Sequence, residues 1–446
     1  MKKVRIYSLF LCMFFLTNVV NAQTKKVNQF SLQQAIDYAN KNSVYVKNAL
    51  LDILIQKQTN RDITSIALPQ INGSAGVTDY LDIPTTLVPA QFFGGASGEF
   101  APVKFGTKWN ANAAIALSQV VFDGQVFIAL KARNGTISLE QRIAELTQEN
   151  IKANIYKVYY QLVTGKIQIQ LLDANMSRLE KLKHDVQVMY DNGFSEKLDI
   201  DKLSVQIVNL QTEKIKADNM ISNGYSGLKL LMGMPIKDSL VLTDTLSDDQ
   251  IREGVLEASQ FKYSDRKDYQ VSDITNKLNG LNVRRYKLSQ IPTFALVGNY
   301  AKNAQRDKFD FFGKGDWFTT SYIGLQMKVP IFNGFSLSAK IKKAKLELQQ
   351  SQNETEALKI SIDGELENAK NNFVAAVAAM DYQKKNMVLA EKVYDQTKKK
   401  YEIGTGDATT INAAQVDLKT AQTNYTTALY DAIIAKVDFL KAPGKL

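Results

Sequence analysis

Cysteine and histidine are nearly missing from this 446-residue chain, with one of each, Cys12 and His184. Cys12 falls in an N-terminal segment that carries Lys2, Lys3 and Arg5, then an apolar run from Leu9 to Leu16, then Val20-Asn21-Ala22. A positive start, a short apolar run and small residues before a cleavage point predict a signal peptide over 1–22 and a mature chain from Gln23. That chain is expected to hold no disulfide, no thiolate nucleophile and no lipid-anchored cysteine. With His184 alone on a long helical pattern, transition metals lack their usual ligands, and His184 reads as a solvated or seam residue. Phosphate-binding loops, dinucleotide fingerprints and nucleophile–histidine arrangements are missing too, and nothing gathers two carboxylates in a cleft. The expectation is no enzyme, no cofactor and no metal.

Long apolar runs are also lacking. After residue 22 nothing approaches 18 consecutive apolar residues, so a spanning helix is excluded and any membrane insertion must use strands closed into a barrel. One sign of charge does not dominate locally. The formal +10 drops to +7 without Lys2, Lys3 and Arg5, and the longest basic run is Lys398-Lys399-Lys400. The cations lie on helical faces among acids, which describes solvated helix and argues against nucleic acid as a partner.

Proline is absent where it would do most harm. All eight (69, 84, 89, 102, 235, 292, 330 and 443) avoid residues 103–234 and 331–442. A proline inside a helix costs about 3 kcal/mol or more, so its exclusion marks long helices. Ile143, Leu146, Ile151, Ile155, Val158 and Leu162 recur at helical spacing there, and Leu346, Leu348, Ala357, Ile360 and Ile362 open a second series. Residues 69–81, 108–121, 293–302 and 317–329 alternate instead. Trp109, Ala111, Ala113, Ile115 and Leu117 share one face and Asn110, Asn112, Ala114, Ala116 and Ser118 the other; Trp317, Ile323, Leu325, Met327 and Val329 alternate with Thr320, Tyr322, Gln326 and Lys328. Half-polar strands of this kind suit a membrane barrel or an ordinary soluble sheet.

Comparing the chain with itself weighs toward the barrel. Leu68-Pro69 matches Ile291-Pro292, Trp109 matches Trp317, Phe122-Asp123-Gly124 matches Phe332-Asn333-Gly334, and Tyr190-Asp191-Asn192-Gly193 matches Tyr401-Glu402-Ile403-Gly404. The offsets are 223 (68 to 291), 208 (109 to 317), 210 (122 to 332) and 211 (190 to 401). Two repeats, 23–235 and 236–446, each read helix, strand, loop, strand, long helix, glycine turn, long helix. The long helices are expected at 124–190, 196–232, 335–401 and 408–441. The first of each pair would reach about 100 Å if unbroken, although Gly135, Gly165 and Gly364 are candidate bends or breaks. Helices of that length must lie against other long helices. The fold class is mainly α with β, internally duplicated, and four strands per chain fall short of the roughly eight a membrane barrel needs. Two copies would supply eight strands and three would supply twelve.

The ordered, duplicated set resembles the TolC-like outer-membrane efflux family over essentially the whole mature chain. It is carried by the strand-opening prolines, the Phe-Asp/Asn-Gly strand exits and the Tyr-x-x-Gly turns, the second followed by Ile411, Ala414-Gln415, Leu418 and Ala421-Gln422. Leu230 to Pro235 looks like the family's end-of-helix signature, and Arg266 and Asp268 sit where an Arg-Pro-Asp run is common, with Lys267 replacing the proline. The resemblance implies a homotrimer: a twelve-stranded barrel in outer-membrane lipid above an α-helical coiled-coil barrel in the periplasm. It also implies a periplasmic adaptor and an inner-membrane pump of the RND or ABC type as partners.

It places loops 82–107 and 303–316 outside, with Phe92, Phe93, Phe311 and Phe312 as outer-mouth candidates, and Trp109 and Trp317 in the interfacial aromatic belt. The turns become the periplasmic tip, making Tyr190, Gly193, Asp199, Tyr401, Gly404 and Asp407 gate candidates. The acids the family often carries six and nine positions past the second turn glycine are Thr410 and Ala413 here, so that ring is not carried over. Asp199 and Asp407 are the nearest lumen candidates, against a plain helix-capping role. The expected function is a passive exit duct of a tripartite efflux system. Two alternatives stay open: a type I protein-secretion duct of the same fold, and a soluble periplasmic coiled-coil scaffold or adaptor.

Overall fold

A computed structural model describes residues 27–246, 248–252 and 261–446; the signal peptide expected at 1–22 lies outside them. In chain order the elements are β1 (Val27–Phe30), α1 (Leu32–Asn42), α2 (Val44–Ser65), β2 (Gln70–Asp79), β3 (Thr85–Pro89), β4 (Phe100–Lys104), β5 (Trp109–Phe122), α3 (Gly124–Asp191), α4 (Lys197–Met232), β6 (Ser239–Leu242), α5 (Asp248–Arg252), α6 (Lys267–Leu288), β7 (Thr293–Arg306), β8 (Phe318–Lys328), α7 (Ser336–Glu402) and α8 (Ala408–Lys441). Two compact units divide the chain. One draws on residues up to Leu51, Arg142–Gln270 and Glu356–Leu446, the other on Asp52–Gln141 and Val271–Thr355.

In the first unit two short strands far apart in the chain meet: β1 and β6 pair in parallel from Val27↔Ser239 to Phe30↔Leu242, a constant offset of 212. Ser31 caps α1 through a reciprocal capping box with Gln34. Asp244 reaches back to accept the Leu32 N–H at 2.8 Å. Beneath lies a core in which Ala35, Ile36 and Ala39 of α1 meet Ile151, Ile155, Tyr159 and Leu162 of α3 and Leu228 and Met232 of α4. Tyr159 is completely buried; its hydroxyl donates to the Phe30 carbonyl at 3.1 Å and accepts from the Asp244 N–H at 3.3 Å.

The breaks expected at Gly135, Gly165 and Gly364 are corrected here: α3 and α7 run through all three as continuous helices. Gly165 is small for packing. A Cβ there would sit 3.1 Å from Ile221 on α4, and one at Gly224 would sit 2.8 Å from Leu162 on α3, so the paired glycines let the two helices approach.

Burial pushes the hydroxyls of Tyr159, Tyr160 and Tyr425 from their ordinary 10.0 up to about 12. The folded state therefore holds protons that the unfolded chain releases above about pH 10. The stability these groups contribute is complete below that pH and is lost as pH rises through about 12. Alkaline unfolding followed by circular dichroism should steepen across that window, with tyrosinate absorbance rising in step, and Y160F should flatten part of the slope.

The second unit holds a four-stranded antiparallel sheet in the order β2-β5-β7-β8. Its register carries one alternation across all four strands. Ile71, Leu117, Gly298 and Ile323 form one row, Asn72, Ala116, Asn299 and Tyr322 the next. The face that carries Ile71 is mainly apolar, interrupted by Gln119, Tyr300, Lys302, Thr319 and Ser321 and ending at Asp79 and Arg306; the other carries Asn, Gln, Ser and Thr among Ala, Val297, Phe318 and Tyr322. Ile71, Ile323 and Leu325 of the apolar face are 69, 73 and 66% exposed, which an ordinary soluble sheet avoids by covering that face. The outer edges, on β2 and β8, have no strand partner among the described residues.

Two loop expectations change. β7 extends to Arg306, into the loop expected at 303–316, and residues 82–107 contain the β3–β4 hairpin, paired from Thr85↔Lys104 to Pro89↔Phe100. Cross-strand bonds were available to both segments, and a buried row such as Ala111↔Ala304 rewards continuing the ladder.

Candidate functional site

The two helix turns have the same construction. After α3, the Gly193 N–H donates to the Tyr190 carbonyl (2.9 Å) and the Phe194 N–H to Met189 (2.8 Å). After α7, Gly404 donates to Tyr401 (3.0 Å) and Thr405 to Lys400 (2.9 Å). Both are Schellman closures, and both glycines have positive φ, 82° and 76°, which a side chain would strain.

The side chains then part company. Tyr401 is buried against the Ile200–Leu203–Ile207 stripe of α4, Val186 of α3 and Ile411 of α8, whereas Tyr190 is 40% exposed. Burial pushes the Tyr401 hydroxyl pKa up, and the carboxylates of Asp199 and Asp185 push it further. That hydroxyl is buried without a hydrogen-bond partner among the described residues. Asp199 lies 3.5 Å from both the Ser195 hydroxyl and the Lys202 ammonium. Asp407 is the α8 N-cap, accepting the Thr410 N–H at 2.8 Å and the Thr410 hydroxyl at 2.7 Å. The Thr410 hydroxyl, followed by its backbone N–H, holds the exposed Asp407 carboxyl below its ordinary value. Tyr401 thus lies buried in one cluster with Ile200, the residue after Asp199, whereas Tyr190 is exposed and Asp407 is engaged by Thr410.

Behind the turns sits a polar layer that sequence reasoning missed. Asn175 of α3, 1% exposed, donates to Gln422 at 2.8 Å and accepts from Gln415 at 2.9 Å, and Arg178 adds a bond to the same Asn175 oxygen at 3.3 Å. The available signal was the seven-residue spacing of Ala414-Gln415 and Ala421-Gln422, one heptad, which puts both glutamines on one stripe of α8. Replacing Asn175 by Ala strands two buried amides, at about 2–3 kcal/mol. The melting temperature of N175A should drop by several degrees, while N175D, which keeps an acceptor for Gln415, should lose less.

The Arg266-Lys267-Asp268 run, singled out in the sequence without its partners, forms an ion-pair cluster. Arg266 forks onto both Asp268 oxygens, reaches Glu365 at 2.6 Å, and donates to the Ala442 carbonyl at 3.1 Å. Lys267, in place of the proline, pairs with Glu145 at 2.7 Å.

At the sheet end away from the long helices, Trp109 packs edge-on to Phe309 (5.1 Å between ring centres), Phe309 on Phe311 (5.6 Å) and Phe311 on Trp317 (6.3 Å). The two tryptophans expected in separate strands therefore share one aromatic cluster. Phe311 is buried within it, against Ala111 and Ala304. Phe312, Phe92 and Phe93 stand exposed. His184 lines a groove beside Tyr394 and Tyr401, and no group of three or more potential metal ligands occurs among the described residues.

Paired long helical hairpins and an open sheet with one exposed apolar face make up the fold that outer-membrane channel subunits share. Residues 282–445 match the family described as outer membrane efflux protein. The outer membrane protein TolC of Vibrio cholerae is 19% identical over 338 residues, covering 75% of this chain and 77% of that one. The outer membrane efflux protein BepC of Brucella suis is 21% identical over 431 residues, 93% and 86% of the two chains. The crystal structure of the Campylobacter jejuni CmeC outer membrane channel superposes with a TM-score of 0.74 at 17% identity, over 95% of this chain and 90% of that one. These likenesses are all to outer-membrane efflux and channel proteins of the TolC type, and they support reading the chain as an exit duct of the outer membrane.

Proposed function

We propose that three copies close one twelve-stranded barrel, β2 of one copy pairing with β8 of the next, with the polar sheet face lining the lumen. The duct passes substrates handed over by a periplasmic adaptor and an inner-membrane pump of the RND or ABC type, and small molecules are its cargo. No chemical step belongs to this chain, since the pump supplies the energy. The observation that carries the reading is the open sheet, whose two unpartnered edges and exposed apolar face have no use in an isolated chain.

In this reading Trp109 and Trp317 anchor the outer interface, and Phe92, Phe93 and Phe312 surround the mouth, with Phe311 bracing it from within. The turns at Gly193 and Gly404 form the tip, where Tyr190, Tyr401, Asp199 and Asp407 border the closed entrance. Opening moves the hairpins apart and breaks local polar contacts.

Two measurements on one detergent-extracted preparation test this: the native mass of the oligomer and planar-bilayer conductance. A trimer passing current is expected; a soluble monomer without conductance refutes the duct. D199N and D407N should each raise the conductance of the isolated channel. Unchanged currents in both remove these acids from the gate and leave them as capping residues.

A further inference from the structure

The apolar sheet face does not stop at the last strand residue. Just past the end of β8, Ile331, Phe332 and Phe335 are 93, 76 and 76% exposed, and the two rings pack edge-on with centres 5.6 Å apart. Four exposed lysines follow at once, Lys340, Lys342, Lys343 and Lys345, around the single buried position Ala344. From Trp317 to Leu346 there is no acidic residue. Among the described residues only Lys343 of these four reaches a carboxylate, Glu347 at 3.6 Å, and a pair this exposed and long contributes little. The same end of the sheet receives α6, which stops at Leu288 with Arg284 and Lys287 exposed in its last turns. Leu288 packs on Gly124 at the start of α3, where an added Cβ would lie 2.8 Å from the leucine. Exposed aromatic and aliphatic side chains are thus bordered directly by exposed cations, of which only Lys343 has a carboxylate within 4 Å among the described residues.

We propose that this collar binds the headgroups of anionic phospholipids in the membrane leaflet at the helical end of the barrel. The inference rests on the channel reading above, which puts the apolar sheet face in hydrocarbon. Ile331, Phe332 and Phe335 then lie where hydrocarbon gives way to headgroups, as interfacial aromatics do. Lys340 to Lys345 begin four residues into α7, about 6–14 Å along the helix from Ser336, which is headgroup depth. Their flexible stems follow apolar surface while the ammonium groups reach phosphate. An acidic protein would satisfy the charge but leave the rings in water, whereas an anionic lipid surface satisfies both. Near an anionic membrane each lysine favours binding roughly fivefold.

The test places the full-length protein and its K340Q/K342Q/K343Q/K345Q variant in bilayers of phosphatidylcholine and phosphatidylglycerol. Lipids retained after gentle extraction are identified by native mass spectrometry. The wild type should retain phosphatidylglycerol in preference to phosphatidylcholine, and the variant should lose at least about tenfold of that preference while keeping its oligomer mass and current. A four-arginine variant should keep it. Equal preference in wild type and glutamine variant overturns the proposal, as does a conducting wild type with no preference. Altered ion selectivity with unchanged lipid retention also overturns it, because the lysines then line the lumen. A wild type that neither inserts nor conducts sinks the channel reading itself, and this inference with it.

Discussion

Replacing Arg266 by Ala should lower the stability of the first unit by about 3–5 kcal/mol, the range for breaking a largely buried ion pair on one side. The Arg266 side chain is 11% exposed and answers Asp268, Glu365 and the Ala442 carbonyl at once. It therefore ties the start of α6 to the middle of α7 and to the chain just after α8. Removing it leaves Asp268, about a quarter exposed, with only the Tyr269 N–H at 2.8 Å to answer its charge. Thermal unfolding of the extracted protein should show a drop of several degrees or more. Arg266→Lys should recover only part of it, since an ammonium cannot make the bidentate contact with Asp268. If R266K matches the wild type, the fork geometry is unimportant and a point charge suffices.

Tyr159 should give the other large effect. Tyr159→Ala opens a cavity in the best-buried part of the first unit, at about 3–5 kcal/mol, and removes both hydroxyl bonds. Tyr159→Phe keeps the ring and loses only the bridge between the Phe30 carbonyl and the Asp244 N–H, at about 1–2 kcal/mol. The pair of variants separates packing from bridging. Hydrogen exchange at the β1 and β6 amides should accelerate in Y159F even where the global melt barely moves, because the hydroxyl holds the junction of those two strands. Unchanged exchange there would mean the parallel pair is held by its own ladder.

Much of this architecture was legible because helix and strand differ in properties that are local along the chain. Proline exclusion over 103–234 and 331–442 reports on backbone donors and sterics, and the alternation from Trp109 reports on a period of two. The glycines of the two turns could be read for the same reason: a positive φ is demanded by the turn, whatever surrounds it. Gly165 misled the reading because its reason is not local. It is small for Ile221, 56 positions away in the chain, and without the partner helix a glycine in a helix looks like a break. The loop at 82–107 was also read too simply, because β3 and β4 are short and gain their ladder only from each other.

The candidate site divides in the same way. Matching Tyr190 to Tyr401 by repeat position says that both end a helix, and both do; it does not say that one ring is buried and the other exposed. That difference comes from which helices each hairpin meets. Asp407 illustrates the opposite case, since an acid three residues before Thr410 at a helix start caps it by local geometry alone. The sequence by itself determined the helical and strand periods and the glycines of the two turns, all properties of short windows or of residue type. Only the tertiary structure decided that Asn175 would bridge Gln415 and Gln422, that Arg266 would bind Glu365, and that Trp109 and Trp317 would share one aromatic cluster. Those contacts join residues from about 100 to nearly 250 positions apart, and the energy of such a pairing exists only once the helices and strands have brought its members together.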